Sequence, residues 1–455
     1  MQASSAHSAL AQLRDEARGA RRLAIDILAA ALAAVEAGQA VRRGLGLRSD
    51  ALLIGGEAVP LAPGSRVYVV GAGKAGVAMA RAAYDSLGER IAAGCVAVPD
   101  GAPPTIGPIA LKRAGHPLPD RAGLTAARRV AELAEGAGDG DIVLCLFSGG
   151  GSAMLSLPAP GVGLDDKQRV TRLLLRSGAT IHELNAVRKH LSRLKGGQLA
   201  RLAAPAHVVG LYLSDVPGDR LESIASGPTA PDPSTYGDAW RALMAHGLLE
   251  AAPPSVVARL REGRAGRLPE TPKGAEPFWS GVRNLIVASG QTALAAARER
   301  ATALGLHVHV QTGLTGEAAE AGAWLGALVR QIAHEGGPVA RPACVLAAGE
   351  TTVVVRGAGK GGRNQELALA AALEMDGLEG VALAAFATDG VDGPTDVAGA
   401  LADGTTLGRA QALQLDPRAC LSANDSYSFF HALGDHIRTG PTGTNVADLA
   451  VALVR

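Results

Sequence analysis

A glycine-rich segment with one lysine, Gly71-Ala72-Gly73-Lys74-Ala75-Gly76, is the first place where this sequence can bind an anion. It follows the apolar run VYVV and precedes an alanine-rich helical stretch. A loop that opens a helix directs backbone N–H groups and the positive end of the helix dipole at a docked anion. Lys74 adds a compact cation that suits a phosphate of changing charge, although an exposed surface lysine has the same local sequence.

The second glycine segment, Ser148-Gly149-Gly150-Gly151-Ser152, follows the most apolar run in the chain. Three consecutive glycines cost backbone entropy and pack no side chain. A backbone nest for a phosphate or carboxylate explains that cost better than a plain turn does. GAGKAG also matches the pattern G-x-G-x-x-G, with Asp100 as the acid for a ribose, so a dehydrogenase is a competing interpretation.

Charged residues between positions 182 and 219 form a second group of candidates. HELNAVRKHLSRLKGG (182–197) predicts a cationic helix with Arg188 and Lys195 seven residues apart on one face. The same spacing is equally typical of a solvated helix. The run GLYLSDVPGD ends in Asp215 and Asp219, which suit a hard cation but are also ordinary turn formers.

The C-terminal half has a third glycine run, GKGGRNQE, which opens the helical stretch ELALAAALE. This run delivers Arg363, Asn364 and Glu366 to a helix N-terminus, and Glu350 follows the apolar run ACVLAA. Such an arrangement predicts an anion site with its own cation.

Three aspartates, Asp389, Asp392 and Asp396, follow the apolar run LAAFAT. They suit Mg²⁺ binding or the positioning of a hydroxyl group, and equally a turn rich in Asp and Gly. The chain has no zinc-ligand spacing, no G-x-S-x-G elbow and no Walker A motif.

The elements that position these residues alternate between apolar runs, glycine or aspartate loops, and alanine-rich helices. Strands of continuous hydrophobicity between helices predict an α/β fold with parallel sheets that are covered on both faces. The predicted strand and loop runs are 66–76, 141–153, 207–219, 284–293, 307–316, 343–351 and 381–393. Ligands bind beyond the carboxyl ends of such strands, so two sheets would form a cleft between two lobes.

The alternation of apolar runs, loops and helical stretches is interrupted over residues 251–279, which are rich in proline and charge. This interruption predicts a linker. We therefore predict an N-terminal domain over residues 1–275 and a C-terminal domain over residues 276–455. The length of 455 residues agrees with two domains, since single cores stop growing at roughly 250–300 residues.

The overall composition argues against several classes of partner. With 47% hydrophobic residues, 19% charged residues and a net charge of +1, the chain offers no field for nucleic acid or acidic membrane. Its four cysteines have no paired or metal-like spacing, which predicts reduced core thiols. The segment Arg21-Arg22-LAIDILAAALAAV is interrupted by Asp26, so it predicts an amphipathic helix rather than a signal peptide. We therefore expect a cytoplasmic protein.

Eight motifs, in order along nearly the whole chain, resemble the glycerate 2-kinase family with a MOFRL-type C-terminal domain, some of whose members are labelled hydroxypyruvate reductase. The motifs are GAGKAG, LFSGGGSA, ELNAVRKHLSRLKGG, SDVPGD followed by SGPT, AGETTV, GKGGRNQELAL, ATDGVDGPT and GPTGTNVADLAVAL. The resemblance implies a larger Rossmann-like N-terminal lobe, a smaller C-terminal α/β lobe, and phosphorylation of D-glycerate by ATP at the 2-hydroxyl. It also implies that Lys74 and Arg363 meet across the cleft.

If phosphoryl transfer is the reaction, the candidate residues take expected roles. We expect Lys74 and Arg363, the pair that the resemblance implies, to stabilise the transferred phosphoryl group, and from the residues themselves we choose Asp389 as the base. The expected ligands of substrate or ATP are Gly71, Gly73, Ser148, Gly149, Gly150, Gly151, Ser152, Asn185, Arg188, Glu350, Asn364 and Glu366. The expected ligands of Mg²⁺ are Asp215, Asp219 and Asp392.

Two other functions remain as alternatives. One is an NAD(P)H-dependent hydroxypyruvate reductase, and the other is a sugar-phosphate-binding regulator without turnover. The sequence leaves open whether the chain forms a homodimer.

Overall fold

The computed structural model describes the backbone from Gln2 to Arg455 and the side chains from Ser5 onward. The chain forms two compact units. One, which we call the inserted unit, is the continuous segment Ala37–Val287. The other, the split unit, combines Met1–Glu36 with Ala288–Arg455.

The elements are numbered in chain order. The first two helices are α1 (Gln2–Glu16) and α2 (Gly19–Ala34). The next elements are α3 (Ala37–Gly44), β1 (Leu45–Leu47), β2 (Ala51–Ile54), β3 (Glu57–Pro60), β4 (Val67–Ala72), α4 (Gly76–Leu87), β5 (Ile91–Val98), β6 (Thr105–Ile106), β7 (Ile109–Arg113), α5 (Arg121–Glu135), β8 (Ile142–Phe147), α6 (Gly151–Met154), α7 (Leu164–Arg176), α8 (Ile181–His190), α9 (Gln198–Ala203), β9 (His207–Ser214), α10 (Tyr236–Ala245), α11 (Pro254–Arg264) and β10 (Val282–Ser289). The remaining elements are α12 (Gly290–Ala303), β11 (His307–Leu314), α13 (Ala318–Glu335), β12 (Ala343–Gly349), α14 (Arg363–Met375), β13 (Val381–Ala387), β14 (Gly399–Asp403), α15 (Thr406–Ala412), α16 (Pro417–Ser422), α17 (Ser426–Leu433), β15 (His436–Ile437) and β16 (Asp448–Val454).

The inserted unit is built around a seven-stranded sheet with the order β10-β9-β8-β4-β5-β7-β6. Strands β9, β8, β4, β5 and β7 pair in parallel, and β6 pairs antiparallel with β7. The predicted α/β class is confirmed. Neighbouring strands β4 and β8 are in register so that Ala72 lies opposite Phe147. Both glycine segments therefore begin at the same edge of the sheet.

The split unit has a six-stranded sheet with the order β11-β12-β16-β13-β14-β15. Only β11 and β12 pair in parallel, because β16 runs antiparallel between β12 and β13, and β14 and β15 add further antiparallel pairs. The expectation of a parallel sheet in this half is therefore wrong. Apolar runs show that a strand is buried but do not encode the direction of its neighbour.

The N-terminal helix α2 confirms the predicted amphipathic helix and belongs to the split unit. Its Ile25 and Leu28 are fully buried, and Arg21 donates hydrogen bonds to both carboxylate oxygens of Asp435, at 2.6 and 2.9 Å. The compact units thus differ from the predicted division at residues 275 and 276. Among residues 2–455, no single helix is long and apolar enough to cross a membrane, and α2 with α3 passes that test only as a bent pair.

The proline-rich segment predicted as a linker packs into the inserted unit instead. Val256 and Leu260 of α11 are fully buried in a core that includes Val170 and Leu174 of α7. Further along, the ammonium of Lys273 donates to the carbonyl of Asp232 at 3.1 Å. The composition of this segment reflects turns around a short helix rather than a connection between domains.

Candidate functional site

The two glycine segments of the inserted unit pack directly against each other. The backbone N–H of Lys74 donates to the carbonyl of Gly149 at 2.9 Å, and that of Ala75 donates to Ser148 Oγ at 3.0 Å. Gly73 has a φ of +143°, and a Cβ there would lie 2.1 Å from Ser148 Oγ. A residue other than glycine at position 73 would therefore push the two segments apart.

The backbone N–H groups of the first glycine segment donate hydrogen bonds to acceptors within the protein. Besides the two bonds just described, the N–H of Gly73 donates to the carbonyl of Ala97 and that of Gly76 to the carbonyl of Gly73, both at 3.0 Å. The prediction that these N–H groups face an anion is therefore wrong. What this segment offers to a ligand is the half-buried side chain of Lys74, whose Cγ lies 3.5 Å from where a Cβ on Gly150 would stand.

The second glycine segment keeps donors available. Gly150 is in the left-handed region, with a φ of +84°, and immediately precedes α6. The N–H groups of Gly149 and Gly150 find no acceptor within the part of the chain that the structure describes. Successive unpaired N–H groups with a left-handed glycine are typical of an anion nest.

A chain of hydrogen bonds connects this segment to Asn185 on α8. Ser226 Oγ donates to Asn185 Oδ1 at 3.1 Å and lies 2.7 Å from Ser152 Oγ. Asn185 and Ser226 are both buried, and Ser226 has a left-handed φ of +63° within the SGPT motif. Asn185 thus positions α6 through two hydroxyl groups.

The predicted cationic helix over 182–197 is shorter than expected, because α8 ends at His190. Ser192 Oγ accepts hydrogen bonds from the N–H groups of Leu194 and Lys195, both at 3.2 Å, which stabilises a turn in place of another helical turn. Lys195 is 2% exposed, and its ammonium donates to the carbonyls of Ser152 at 2.6 Å and Leu155 at 3.1 Å. The solvated alternative is therefore wrong for Lys195.

Three cations come together behind α6: Lys167, Arg188 and Lys195. Burial, and then the charge of Arg188, lower the pKa of Lys167 to about 7. Burial lowers the pKa of Arg188 to about 10. Burial and the charges of its two neighbours hold the pKa of Lys195 well below its usual value. Such shifts indicate cations that repel one another where water is scarce.

The acids that follow β9 form a turn. Asp219 has a φ of +53°, and its N–H donates to the carbonyl of Val216 at 3.0 Å. Asp215 is half-buried directly after the strand. Within residues 2–455, no group of three or more His, Cys, Asp or Glu side chains is arranged to hold a metal ion.

Arg363, the first residue of α14 in the split unit, lies between two carboxylates. Its Nη2 donates to Asp448 Oδ1 at 3.0 Å, its Nε donates to Asp448 Oδ2, and its Nη1 donates to Glu350 Oε1 at 2.6 Å. Burial raises the pKa of Asp448 to about 7, against the charge of Arg363. Because Glu350 follows β12 and Asp448 begins β16, adjacent strands hold the guanidinium from two sides.

Asp392 does not act as a metal ligand in this fold. One carboxylate oxygen accepts from the backbone and side-chain N–H groups of Asn364, at 3.0 and 3.2 Å. The other oxygen accepts the same two kinds of bond from Gln365, at 2.9 and 2.8 Å. The carboxylate stabilises the first turn of α14, and four N–H donors leave it no room for a cation.

Two other predicted residues of the split unit are also engaged within the protein. Glu366 is buried and accepts from Asn424 Nδ2 at 3.1 Å. Asp389, half-buried after β13, accepts from the N–H of Val391 at 3.0 Å through Oδ1. Asn364 and Glu366 therefore support α14 and its surroundings, which leaves exposed Glu350 and half-buried Arg363 as the residues that a ligand can reach.

Comparison with known proteins decides the relationship. Residues 23–261 match a domain family of unknown function (DUF4147), and residues 343–448 match the MOFRL family. The D-glycerate 2-kinase of Thermotoga maritima is 41% identical over 438 residues, which cover 95% of this chain and 98% of that protein. The chain belongs to the glycerate kinase family.

A solved structure and a differently named relative complete the comparison for this glycerate kinase family member. The 2.70 Å crystal structure of glycerate kinase from T. maritima matches with a TM-score of 0.84 at 40% identity, covering 95% of this chain and 99% of that one. A putative hydroxypyruvate reductase of Agrobacterium vitis is 42% identical over 399 residues, covering 87% of this chain and 89% of that protein. The family resemblance is confirmed, and both names occur among the relatives.

Sequence reasoning missed two residues of this family member. Lys167 follows two aspartates and resembles a surface residue, although Val170 and Leu174 at the third and seventh following positions place it on the buried face of α7. Asp448 stands in the closing motif GPTGTNVADLAVAL, and its partner Arg363 is far away in sequence. The apolar periodicity after Lys167 was a usable signal, whereas the pairing of Asp448 was not visible.

Proposed function

We propose that this protein is a glycerate 2-kinase, which transfers the γ-phosphoryl group of ATP to the 2-hydroxyl of D-glycerate and releases 2-phosphoglycerate and ADP. The observation that carries this proposal is the identity of 41% with the D-glycerate 2-kinase of T. maritima over nearly the full length of both chains. The partners are then two small anionic molecules, in agreement with cations at the glycine segments of both units.

Lys74 and Arg363 are the proposed catalytic cations. Phosphoryl transfer has a loose transition state with charge spread over the transferred oxygens, so the protein acts mainly by positioning and by electrostatic stabilisation. Lys74 is supported by its place beside the second glycine segment. Arg363 is supported by the two carboxylates that fix its guanidinium while leaving the side chain 32% exposed.

The second glycine segment is the proposed anion cradle for a phosphate. Two observations support it. The N–H groups of Gly149 and Gly150 have no acceptor among the described residues, and a chain of hydrogen bonds connects Ser152 through Ser226 to Asn185. Asp389 remains the proposed base for the 2-hydroxyl, since its carboxylate lies at the carboxyl end of β13.

Of the three predicted Mg²⁺ ligands, Asp392 does not fit, because four N–H donors occupy both of its carboxylate oxygens. Asp215 and Asp219 stay predictions, and among the described residues no group of three or more His, Cys, Asp or Glu side chains could hold a metal ion. We therefore derive no catalytic step from a metal held by the protein. We propose instead that Mg²⁺ enters with the phosphates of ATP, since Mg²⁺ in such enzymes is bound largely by substrate phosphates and water.

Two features disfavour the reductase alternative, whose support is the name of the A. vitis relative. A dinucleotide loop presents its N–H groups to the pyrophosphate, whereas the GAGKAG segment spends them internally. The proposed ribose acid, Asp100, is exposed and forms an ion pair with Arg113 at 2.5 Å. A cytoplasmic location is also part of our proposal, supported by four free cysteines of which three are buried.

The test is a coupled assay of the purified protein with ATP, Mg²⁺ and D-glycerate, beside an NADH-oxidation assay with hydroxypyruvate. NMR of the product distinguishes phosphorylation at the 2-hydroxyl from phosphorylation at the 3-hydroxyl. We expect 2-phosphoglycerate and no NADH oxidation. NADH oxidation without consumption of ATP would replace the kinase with the reductase.

A further inference from the structure

The inserted unit contains three buried or half-buried cations, Lys167, Arg188 and Lys195, none of which forms an ion pair with an acidic side chain among the residues that the structure describes. We propose that this basic cluster is the subsite for the carboxylate of the acceptor hydroxy acid. The proposal rests on the proposed kinase function, and it assigns the cluster to the acceptor rather than to the nucleotide.

Unsatisfied hydrogen-bond donors identify the place. Lys167 is 2% exposed, and its ammonium has no hydrogen-bond partner within residues 2–455. Ser156 Oγ, buried directly after the Leu155 carbonyl that accepts from Lys195, also lacks a partner there. When it is protonated, Lys195 has three N–H donors, of which two donate to carbonyls and one remains without an acceptor. Buried donors that lack acceptors are rare in native proteins, so an acceptor from outside the chain is expected.

A neighbouring lysine shows what the fold does with an ordinary buried cation. Lys189, next to Arg188 on α8, is 4% exposed and pairs with the buried Asp232 at 3.1 Å. Lys167 and Lys195 are as deeply buried, yet the charged groups that shift their pKa values are other cations of the cluster. Burial without a counter-ion disfavours the charged form of a lysine, and a bound anion removes that penalty. The charged form of the cluster is therefore unfavourable in the free protein and becomes favourable when an anion is bound.

The size and position of the cluster favour the carboxylate over the phosphates of ATP. Two of its three cations are almost fully buried, so the ligand group must be small, whereas a triphosphate with Mg²⁺ needs an open approach. Lys195 donates to the carbonyl of Ser152, within α6, and to that of Leu155, directly after it, and the unpaired N–H groups of Gly149 and Gly150 directly precede α6. The four residues of α6 span ~6 Å, a distance that suits a three-carbon acid with its carboxylate near Leu155 and the phosphoryl acceptor towards Gly150.

The experiment replaces Lys167 with Met and uses Arg169→Met as the matched control, since Arg169 is an exposed cation two residues along the same helix. Binding of D-glycerate without ATP is measured by calorimetry, and KM is measured for D-glycerate and for ATP. We expect Lys167→Met to raise the Kd and the KM for D-glycerate about 10- to 100-fold, as for the loss of a charge-assisted hydrogen bond. The KM for ATP, and both constants in the Arg169→Met control, should stay within about twofold of wild type.

D-glyceramide, which replaces the carboxylate with a neutral amide, separates the possible sources of the anion. Wild-type protein should prefer D-glycerate to D-glyceramide, and Lys167→Met should lose most of that preference. A variant that instead weakens only ATP would assign the cluster to the nucleotide phosphates and overturn the proposal. Unchanged constants for both substrates in a folded variant would also overturn it.

Two further measurements keep the test decisive. If Lys167→Met does not fold, Arg188→Gln probes the same cluster from α8, with the same expected loss of D-glycerate affinity. If wild-type protein binds D-glycerate through the cluster but does not phosphorylate it, the kinase fails and the carboxylate subsite stands. If it phosphorylates D-glycerate equally well in the folded Lys167→Met and Arg188→Gln variants, the kinase stands and the subsite fails.

Discussion

Replacing Asp448 with Asn tests whether Arg363 must be held in place to act on the transferred phosphoryl group. The substitution conserves shape but exchanges one of the two oxygens that accept from Nε and Nη2 of Arg363 for an NH₂ donor. At one of the two positions a donor then faces a donor, so Arg363 keeps one of its two bonds to residue 448 and the bond to Glu350. Asp448 acts through Arg363, so we regard it as a positioning residue.

The structure gives different magnitudes for stability and for activity. Removing one partner of a sealed ion pair costs about 3–5 kcal/mol. The Arg363 side chain is 32% exposed and can reach water, and ionised Asp448 already bears a desolvation cost, so we expect a loss of only about 1–2 kcal/mol at pH 8. A displacement of Arg363 by about 1 Å would lower kcat on the order of 100-fold. The KM values should change little.

The pH dependence supplies a signature that general destabilisation would not give. Burial raises the pKa of Asp448 to about 7, from about 3.9 in an unfolded chain. The native carboxyl therefore holds its proton between these values, and its contribution to stability falls as pH rises from ~4 to 7. Because ionised Asp448 holds Arg363, kcat should rise through pH 7 in wild-type protein.

The assay is the kcat–pH profile of wild type, Asp448→Asn and Glu350→Gln, with urea unfolding of each at pH 5 and pH 8. In Asp448→Asn, the rise of kcat through pH 7 should be absent, because the group that titrates is gone. Glu350→Gln should keep this rise, because Glu350 is the exposed partner and Asp448 is still present. A folded Asp448→Asn protein with wild-type kcat and an unchanged rise through pH 7 would refute the positioning role.

Three further substitutions test other parts of the structure. Lys74→Met should lower kcat by orders of magnitude with an unchanged circular dichroism spectrum, and wild-type turnover would refute its catalytic role. Lys189→Met should destabilise the protein by about 3 kcal/mol in urea unfolding, since it leaves a buried carboxylate without its cation; an unchanged midpoint would mean that the pair contributes nothing. Gly73→Ala should cost about 2 kcal/mol or more because its Cβ would overlap Ser148 Oγ, whereas Gly274→Ala, with open space around it, should be nearly neutral; equal effects would contradict the close packing of the two glycine segments.

The sequence was sufficient to locate seven of the strands, β4 and β8 to β13, and the loops that follow them. Each of the seven predicted runs contains a strand, and the segments GAGKAG and SGGGS both begin where a buried strand ends. Continuous apolar runs bounded by glycine are local signals, so they can be recognised without knowledge of the tertiary structure. The alternation of strand and helix predicted parallel pairing in general, which the inserted unit confirms, but it did not specify that β4 pairs with β8.

The sequence was not sufficient where the outcome depends on distant neighbours. The glycine pattern of the first segment suggested free N–H groups, but their acceptors come from Ala97 and from the second segment. Asp392 resembled a metal ligand until its four donors from α14 were visible. Local composition cannot specify which far residue satisfies a polar group, and that partner decides between a structural and a catalytic role.

The division of the split unit over both ends of the chain has a consequence for biosynthesis. Helix α2 leaves the ribosome early, but β13 and β16, against which it packs, are among the last parts to be made. At roughly 5–20 residues per second, its apolar face waits tens of seconds for a partner. The continuous segment Ala37–Val287 can meanwhile complete its own sheet. A nascent chain that stalls before β16 therefore exposes the apolar face of α2 until the sheet of the split unit is complete.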